Sequence, residues 1–157
     1  MGAGKTAVAR ALVAAPRKPT VYIEGDRFWP FIVKGLGVRN QDFRASMRAM
    51  LGAAIAYARS DLEAVLDFSI PPPFFAAYTA KVKKTEFHYV VLKPSLDVCA
   101  ARAASRKDGA ILDYDDHRDF YDLFETDDRH MIRDDESDPE DLAERIKAGI
   151  ASGLFRA

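Results

Sequence analysis

Three consecutive residues near the start of the chain carry the chemistry most easily read from it: Gly4, Lys5 and Thr6, in the opening "MGAGKTAVAR". A glycine with no Cβ lets the backbone approach a phosphate, a lysine ammonium reaches the β- and γ-phosphates, and a threonine hydroxyl holds Mg²⁺. Together with Gly2, Ala3 and Ala7 they supply successive backbone N–H groups that can converge on phosphate oxygens. Asp26, at the end of "TVYIEGD", is a carboxylate able to orient an attacking hydroxyl and accept its proton. Asp67, in "LEAVLDFSI", could hold Mg²⁺ through water, and Arg102 and Arg106, one helical turn apart, could stabilise charge on a transferring phosphoryl group. Arg118 is a third candidate. Each has a plainer reading beside it: a chance helix start, a turn residue at a strand end, a strand residue, a solvated surface pair.

These residues need elements to position them. Ala7–Ala15 is rich in helix formers and stops at Pro16, which puts Gly4, Lys5 and Thr6 at a helix N-terminus. β-Branched and aromatic residues predict a strand over Thr20–Asp26, others follow at Leu62–Ile70 and Phe87–Pro94, and a weak fourth lies at Arg129–Arg133. Between them, apolar spacing predicts helices over Asp42–Arg59, capped by Asn40, over Phe74–Lys84, and from Ser95 towards Gly109. A short aromatic helix is expected to carry Tyr114, His117, Tyr121 and Phe124 on one face, and Asp138-Pro139 opens a last helix with Leu142, Ile146 and Ile150 inward. Strands alternating with helices predict one α/β domain over residues 1–157, a three-layer parallel sheet with helices on both faces, and residues 102–125 form a candidate lid.

A full phosphate-binding loop reads G-x-x-x-x-G-K-[ST] and follows a strand. Its first glycine would fall two residues ahead of Met1, with the strand earlier still. The first strand of the sheet is therefore expected upstream of Met1, in a longer chain or as a loss from a truncated one.

The chain has 157 residues, a net charge of -1, and 16 of its 24 acidic residues between Asp108 and Glu144, where three basic residues stand. That run argues against nucleic acid lying along it, since phosphates need a basic partner. Cys99 is the single cysteine, which fits a reducing compartment, and no apolar run approaches a membrane span, so a cytoplasmic protein is expected. His88, His117 and His130 share no metal-ligand spacing with one another or with Cys99.

"GAGKT", the Asp26 of "YIEGDRFW", the Asp67 of "VLDFSIP" and the Arg102 and Arg106 of "VVLKPSLDVCAARAASR" resemble the small P-loop kinases, the group that includes shikimate kinase, gluconate kinase, chloramphenicol phosphotransferase and the nucleoside monophosphate kinases. The resemblance implies a five-stranded parallel sheet holding ATP and Mg²⁺, with Asp26 acting on the acceptor hydroxyl and lid arginines Arg102 and Arg106 closing over the phosphates. It also implies adenine contacts around Asp134–Ser137. The partners expected are a nucleotide and an unidentified small-molecule phosphoryl acceptor, and the oligomeric state stays open. Two other readings stand beside this one: a nucleotide-binding regulatory or degenerate module without turnover, and a domain with no nucleotide function.

Overall fold

A computed structural model describes residues 2–35, 39–107, 111, 113–114, 117–125 and 128–157, with the side chains of 39 and 40 set aside. Its helices are α1 (Lys5–Leu12), α2 (Arg39–Ala58), α3 (Pro72–Thr79), α4 (Leu96–Ala104), α5 (Arg118–Asp122) and α6 (Pro139–Ser152). Its strands are β1 (Thr20–Glu24), β2 (Glu63–Asp67), β3 (Val91–Leu92) and β4 (Met131–Ile132). The architecture is mixed α/β. No described helix is long and apolar enough to cross a membrane.

Local chemistry explains most boundaries. Pro139 sits at its preferred first helical position, and the Asp138 carboxylate accepts from the Asp141 N–H at 2.9 Å, a cap worth about 1 kcal/mol to α6. Gly153 ends that helix in the left-handed region, φ 78°. Asp26 lies past the end of β1, in a 3₁₀ segment over Gly25–Phe31, because Gly25 is packed under Phe68 and turns the chain out of the pair. Asn40 falls inside α2 rather than at its cap, since the helix already begins at Arg39. The aromatic helix is shorter than its sequence pattern suggests: Tyr114 and His117 precede α5 and meet ring to ring at 5.5 Å, so only Tyr121 of the four lies within it.

The strands form two parallel pairs rather than one continuous sheet among the described residues. β1 pairs with β2 from Thr20↔Glu63 to Glu24↔Asp67, and β3 pairs with β4 through Val91↔Met131 and Leu92↔Ile132. The tail extends the second pair, with the Tyr89 N–H donating to Phe155 O at 2.9 Å and the Ala157 N–H to Phe87 O at 3.0 Å.

Alternation along a strand fixes which backbone groups remain. The Glu63 N–H donates to Pro19 O, so residues 63, 65 and 67 face β1 and residues 64, 66 and 68 face away from it. The Lys93 N–H donates to Ile132 O, so residues 89, 91 and 93 face the tail and β4, while 88, 90 and 92 face away. Among the described residues no backbone hydrogen bond is made by the N–H groups of Leu66, Phe68, Val90 or Leu92. Both pairs thus carry an unpaired edge. A cavity of about 60 Å³ is lined by residues next to both, Phe68 and Ile70 on one side and Val90, Val91 and Leu92 on the other.

Apolar side chains gather on either side of these strands. Val8 of α1 packs with Ile132, Leu142, Ala143, Ile146 and Phe155, and Val90 and Leu92 lie against that group. Met47 and Leu51 of α2 pack with Ile70 and Phe75, and Leu66, Phe68 and Tyr89 lie against those. Tyr89 also bridges the pairs: its ring stacks on Phe75 at 4.4 Å and its hydroxyl donates to Ile70 O at 2.6 Å.

Candidate phosphate-binding site

Gly2 and Gly4 both take left-handed backbone angles, φ 76° and 80°. At Gly2 no other residue fits, because a Cβ there would lie 2.0 Å from the Cys99 carbonyl oxygen, which presses the loop against α4. Gly4 immediately precedes the right-handed turn of α1, and that left-then-right order curls successive N–H groups around one point, the concavity that binds anions. The first intrahelical bond runs from the Val8 N–H to Gly4 O, so the N–H groups of Lys5, Thr6 and Ala7 have no partner inside the helix. No acidic residue lies in the first turn to neutralise this end.

Lys5 lines the cavity between the two strand pairs, as does Ala3. Among the described residues it makes no ion pair. Arg102, on α4, sits over the loop: its Nη1 is 3.9 Å from the point where a Cβ of residue 4 would stand, and its Nη2 donates to Asp135 O at 3.1 Å. The structure therefore brings together Gly2, Ala3, Gly4, Lys5 and Arg102 around one mouth. Thr6 and Ala7 continue it as the next residues of α1.

Asp67 ends β2, is 7% exposed, and accepts a hydrogen bond from the Tyr22 hydroxyl at 3.2 Å. Burial first, and then the Asp67 charge, push the Tyr22 hydroxyl above its ordinary range, so it stays a donor. Tyr22, Glu24 and Asp67 share the strand face that α1 covers, and Arg10 of α1 reaches Glu24 at 3.7 Å. Asp67 thus lies on the same side of its sheet as the helix that carries Thr6. A hydroxyl and a carboxylate are hard oxygen ligands, and Mg²⁺ takes one or two such groups beside phosphate oxygens and water.

Three other candidates lie elsewhere. Asp26 is exposed and does not line the cavity that Lys5 lines. Arg106 does not share a helical face with Arg102: α4 ends at Ala104, where Ser105 takes φ -80°, ψ 0° and its hydroxyl turns back to Arg102 O at 3.1 Å. Arg106 is exposed beyond that end. Arg118 opens α5 and also lies outside the lining of both cavities described here. The candidate lid, 102–125, falls partly outside the described residues, at 108–110, 112 and 115–116.

A second cavity, about 550 Å³, adjoins the first and is bounded by Lys93, Ser95, Tyr121 and the loop Arg133–Ser137. That volume lies within the range of ordinary small-ligand sites. Its loop is firmly built. The Asp134 carboxylate accepts from the Ser137 N–H at 2.8 Å, the Ser137 hydroxyl at 2.9 Å and the Glu136 N–H at 3.1 Å, and pairs with Arg145. Those donors, led by the Ser137 N–H, hold its carboxyl down to about 2. Asp135 ties the loop to α4 by accepting from the Ser95 N–H at 2.6 Å.

Sequence reasoning passed over Lys93, which lines both cavities, and its partner Glu125. The available signal was position: Lys93 follows the last residue of β3, at the carboxyl end of a parallel strand, where ligands gather in folds of this class. Neither the family models nor the curated proteins compared with this chain include a match to it.

Proposed function

We propose that the chain is an ATP-dependent phosphotransferase of the small P-loop kinase type, moving the γ-phosphate of ATP to a hydroxyl or phosphate of a small molecule. The observation that carries this is the left-handed Gly4 heading α1, with three N–H groups behind it that have no partner inside the helix, Lys5 beside it and Arg102 over it. Together these form a cationic mouth suited to a polyphosphate. In this reading Thr6 and Asp67 hold Mg²⁺, the cavity beside Asp134–Ser137 takes the base, and the protein works in the cytoplasm.

The three-layer sheet belongs to the same proposal. The slot between β2 and β3 is where the strand leading into the phosphate loop would lie, and the unpaired edges at Leu66, Phe68, Val90 and Leu92 support that placement. Asp26 is the proposed base and Arg106 a second charge stabiliser, each reaching the site only after movement of its segment.

Asp26 standing outside the cavity favours a second reading, a module that binds nucleotide without turnover. One experiment separates the two. Thermal melting with ATP and Mg²⁺ at 100 times the dissociation constant should gain about 2.7 kcal/mol, and Lys5→Ala should lose most of that gain. Transfer of label from γ-labelled ATP to a panel of alcohols and nucleoside monophosphates then supports the transferase. Binding without transfer supports the second reading, and no shift with ATP, ADP or tripolyphosphate overturns both.

A further inference from the structure

Lys93 is the most deeply placed cation in the described structure, its side chain 2% exposed, while its partner Glu125 is 56% exposed. A buried ammonium is costly unless paired, and here the pairing comes from a surface side chain that reaches inward. The Tyr121 ring, whose centroid lies 4.3 Å from Nζ, completes the cage. Glu125 is also held by Arg133 at 2.8 Å. If it left Lys93, its charge would remain compensated at the surface.

Lys93 forms part of the wall of both cavities, the one lined by Lys5 and the one beside Asp134–Ser137. A nucleotide with its base in the larger cavity and its phosphates in the one lined by Lys5 would meet Lys93 in the wall of each. We propose that Lys93 is a second phosphate-binding lysine of the site and that Glu125 occupies it as a displaceable internal anion until a polyphosphate takes its place. This rests on the phosphate-site reading above. The ligand class is a nucleoside di- or triphosphate, recognised here through its phosphates.

Titration calorimetry with tripolyphosphate, ATP and adenosine tests it on the full chain. Glu125→Gln should bind tripolyphosphate and ATP about three- to fivefold more tightly, the effect of removing one competing carboxylate that is itself half exposed. Lys93→Met should weaken both by at least about tenfold, leave adenosine unchanged, and cancel the gain when combined with Glu125→Gln. A purely structural Lys93 would not discriminate adenosine from its phosphates. Should Glu125→Gln fail to fold, Glu125→Asp, which keeps the charge and shortens the arm, is expected to bind tripolyphosphate more tightly than wild type. If either folded variant binds no better than wild type while Lys5→Ala still weakens binding, the internal anion is overturned and the phosphate site stands. Absence of binding by wild type and by the Glu125 variants alike overturns both.

Discussion

Gly4→Ala tests the backbone on which the proposed site depends. At φ 80° and ψ 6°, an L-residue carries about 1–2 kcal/mol of strain from its own Cβ. No clash adds to this, because the nearest heavy atom to the added Cβ is Arg102 Nη1 at 3.9 Å, an ordinary contact. For a domain of this size about 2–4 °C of melting temperature corresponds to each kcal/mol, so the midpoint should fall by roughly 2–8 °C. Gly153→Ala supplies the control. It has the same backbone, φ 78°, at the far end of α6 with nothing within 4 Å, and should melt at a similarly lowered temperature. The two variants should part on anion binding. Relief of strain at residue 4 turns the N–H groups of Lys5 and Thr6 away from their common point, and losing one such bond to a charged ligand costs about 1.5–3 kcal/mol, or tenfold and more in affinity. Calorimetric titration with tripolyphosphate reads this directly, beside melts of all three proteins. The reasoning is refuted if Gly4→Ala lowers the midpoint but binds tripolyphosphate as wild type does, or if Gly153→Ala loses as much affinity.

The Glu125 carboxyl is held down to about 2, from 4.5, first by Arg133 and then by Lys93. A depressed carboxyl stabilises the fold above its unfolded value and loses that contribution as pH falls through the folded one. Urea midpoints should therefore be insensitive to this group from pH 5 to 8 and decline between about pH 4.5 and 2, and Glu125→Gln should flatten that decline. An unchanged slope in the variant would remove Glu125 from the account, and added salt should shrink the slope because the group is largely exposed. Tyr22→Phe leaves the buried Asp67 without its hydroxyl donor, and should cost about 1–3 kcal/mol in urea unfolding. A cost near zero would mean that water already serves Asp67.

The element order was largely legible because local signals were strong: the alanine-rich helix after Thr6, the β-branched run at Thr20, the Asp138-Pro139 cap. Where the reading failed, tertiary contacts overrode pattern. Phe87–Pro94 reads as one long strand, yet its ladder is divided between the Phe155–Ala157 tail and the two residues paired with β4. Arg102 and Arg106 have ideal helical spacing, but spacing says nothing about where a helix stops, and Ser105 ends it between them. Lys93 was invisible for a different reason. A lone lysine before a proline looks like a solvated strand end, and only the approach of Glu125 and Tyr121, each about thirty residues away in sequence, makes it a buried cation.

The unpaired edges and the proposed phosphate loop are one physical problem. A two-stranded sheet is marginal by itself, and parallel pairs are ordinarily covered and continuous. Among the described residues, what joins the two pairs is side-chain packing around Tyr89, not a ladder. Ala3 and Lys5 line the cavity that separates those edges, and among the described residues no backbone hydrogen bond ties the loop to Phe68 on one side or Val91 on the other. A strand pairing with both edges would replace that soft connection with backbone hydrogen bonds worth about 0.5–1.5 kcal/mol each. It would also hold β2, which ends in Asp67, and β3, which Lys93 follows, at the roughly 9.5 Å that separates alternate strands of a sheet. The separation of the proposed metal carboxylate from the proposed second phosphate-binding lysine would thus depend on sheet continuity. Affinity for polyphosphate should accordingly respond to whatever occupies that slot as strongly as to the residues that touch the ligand.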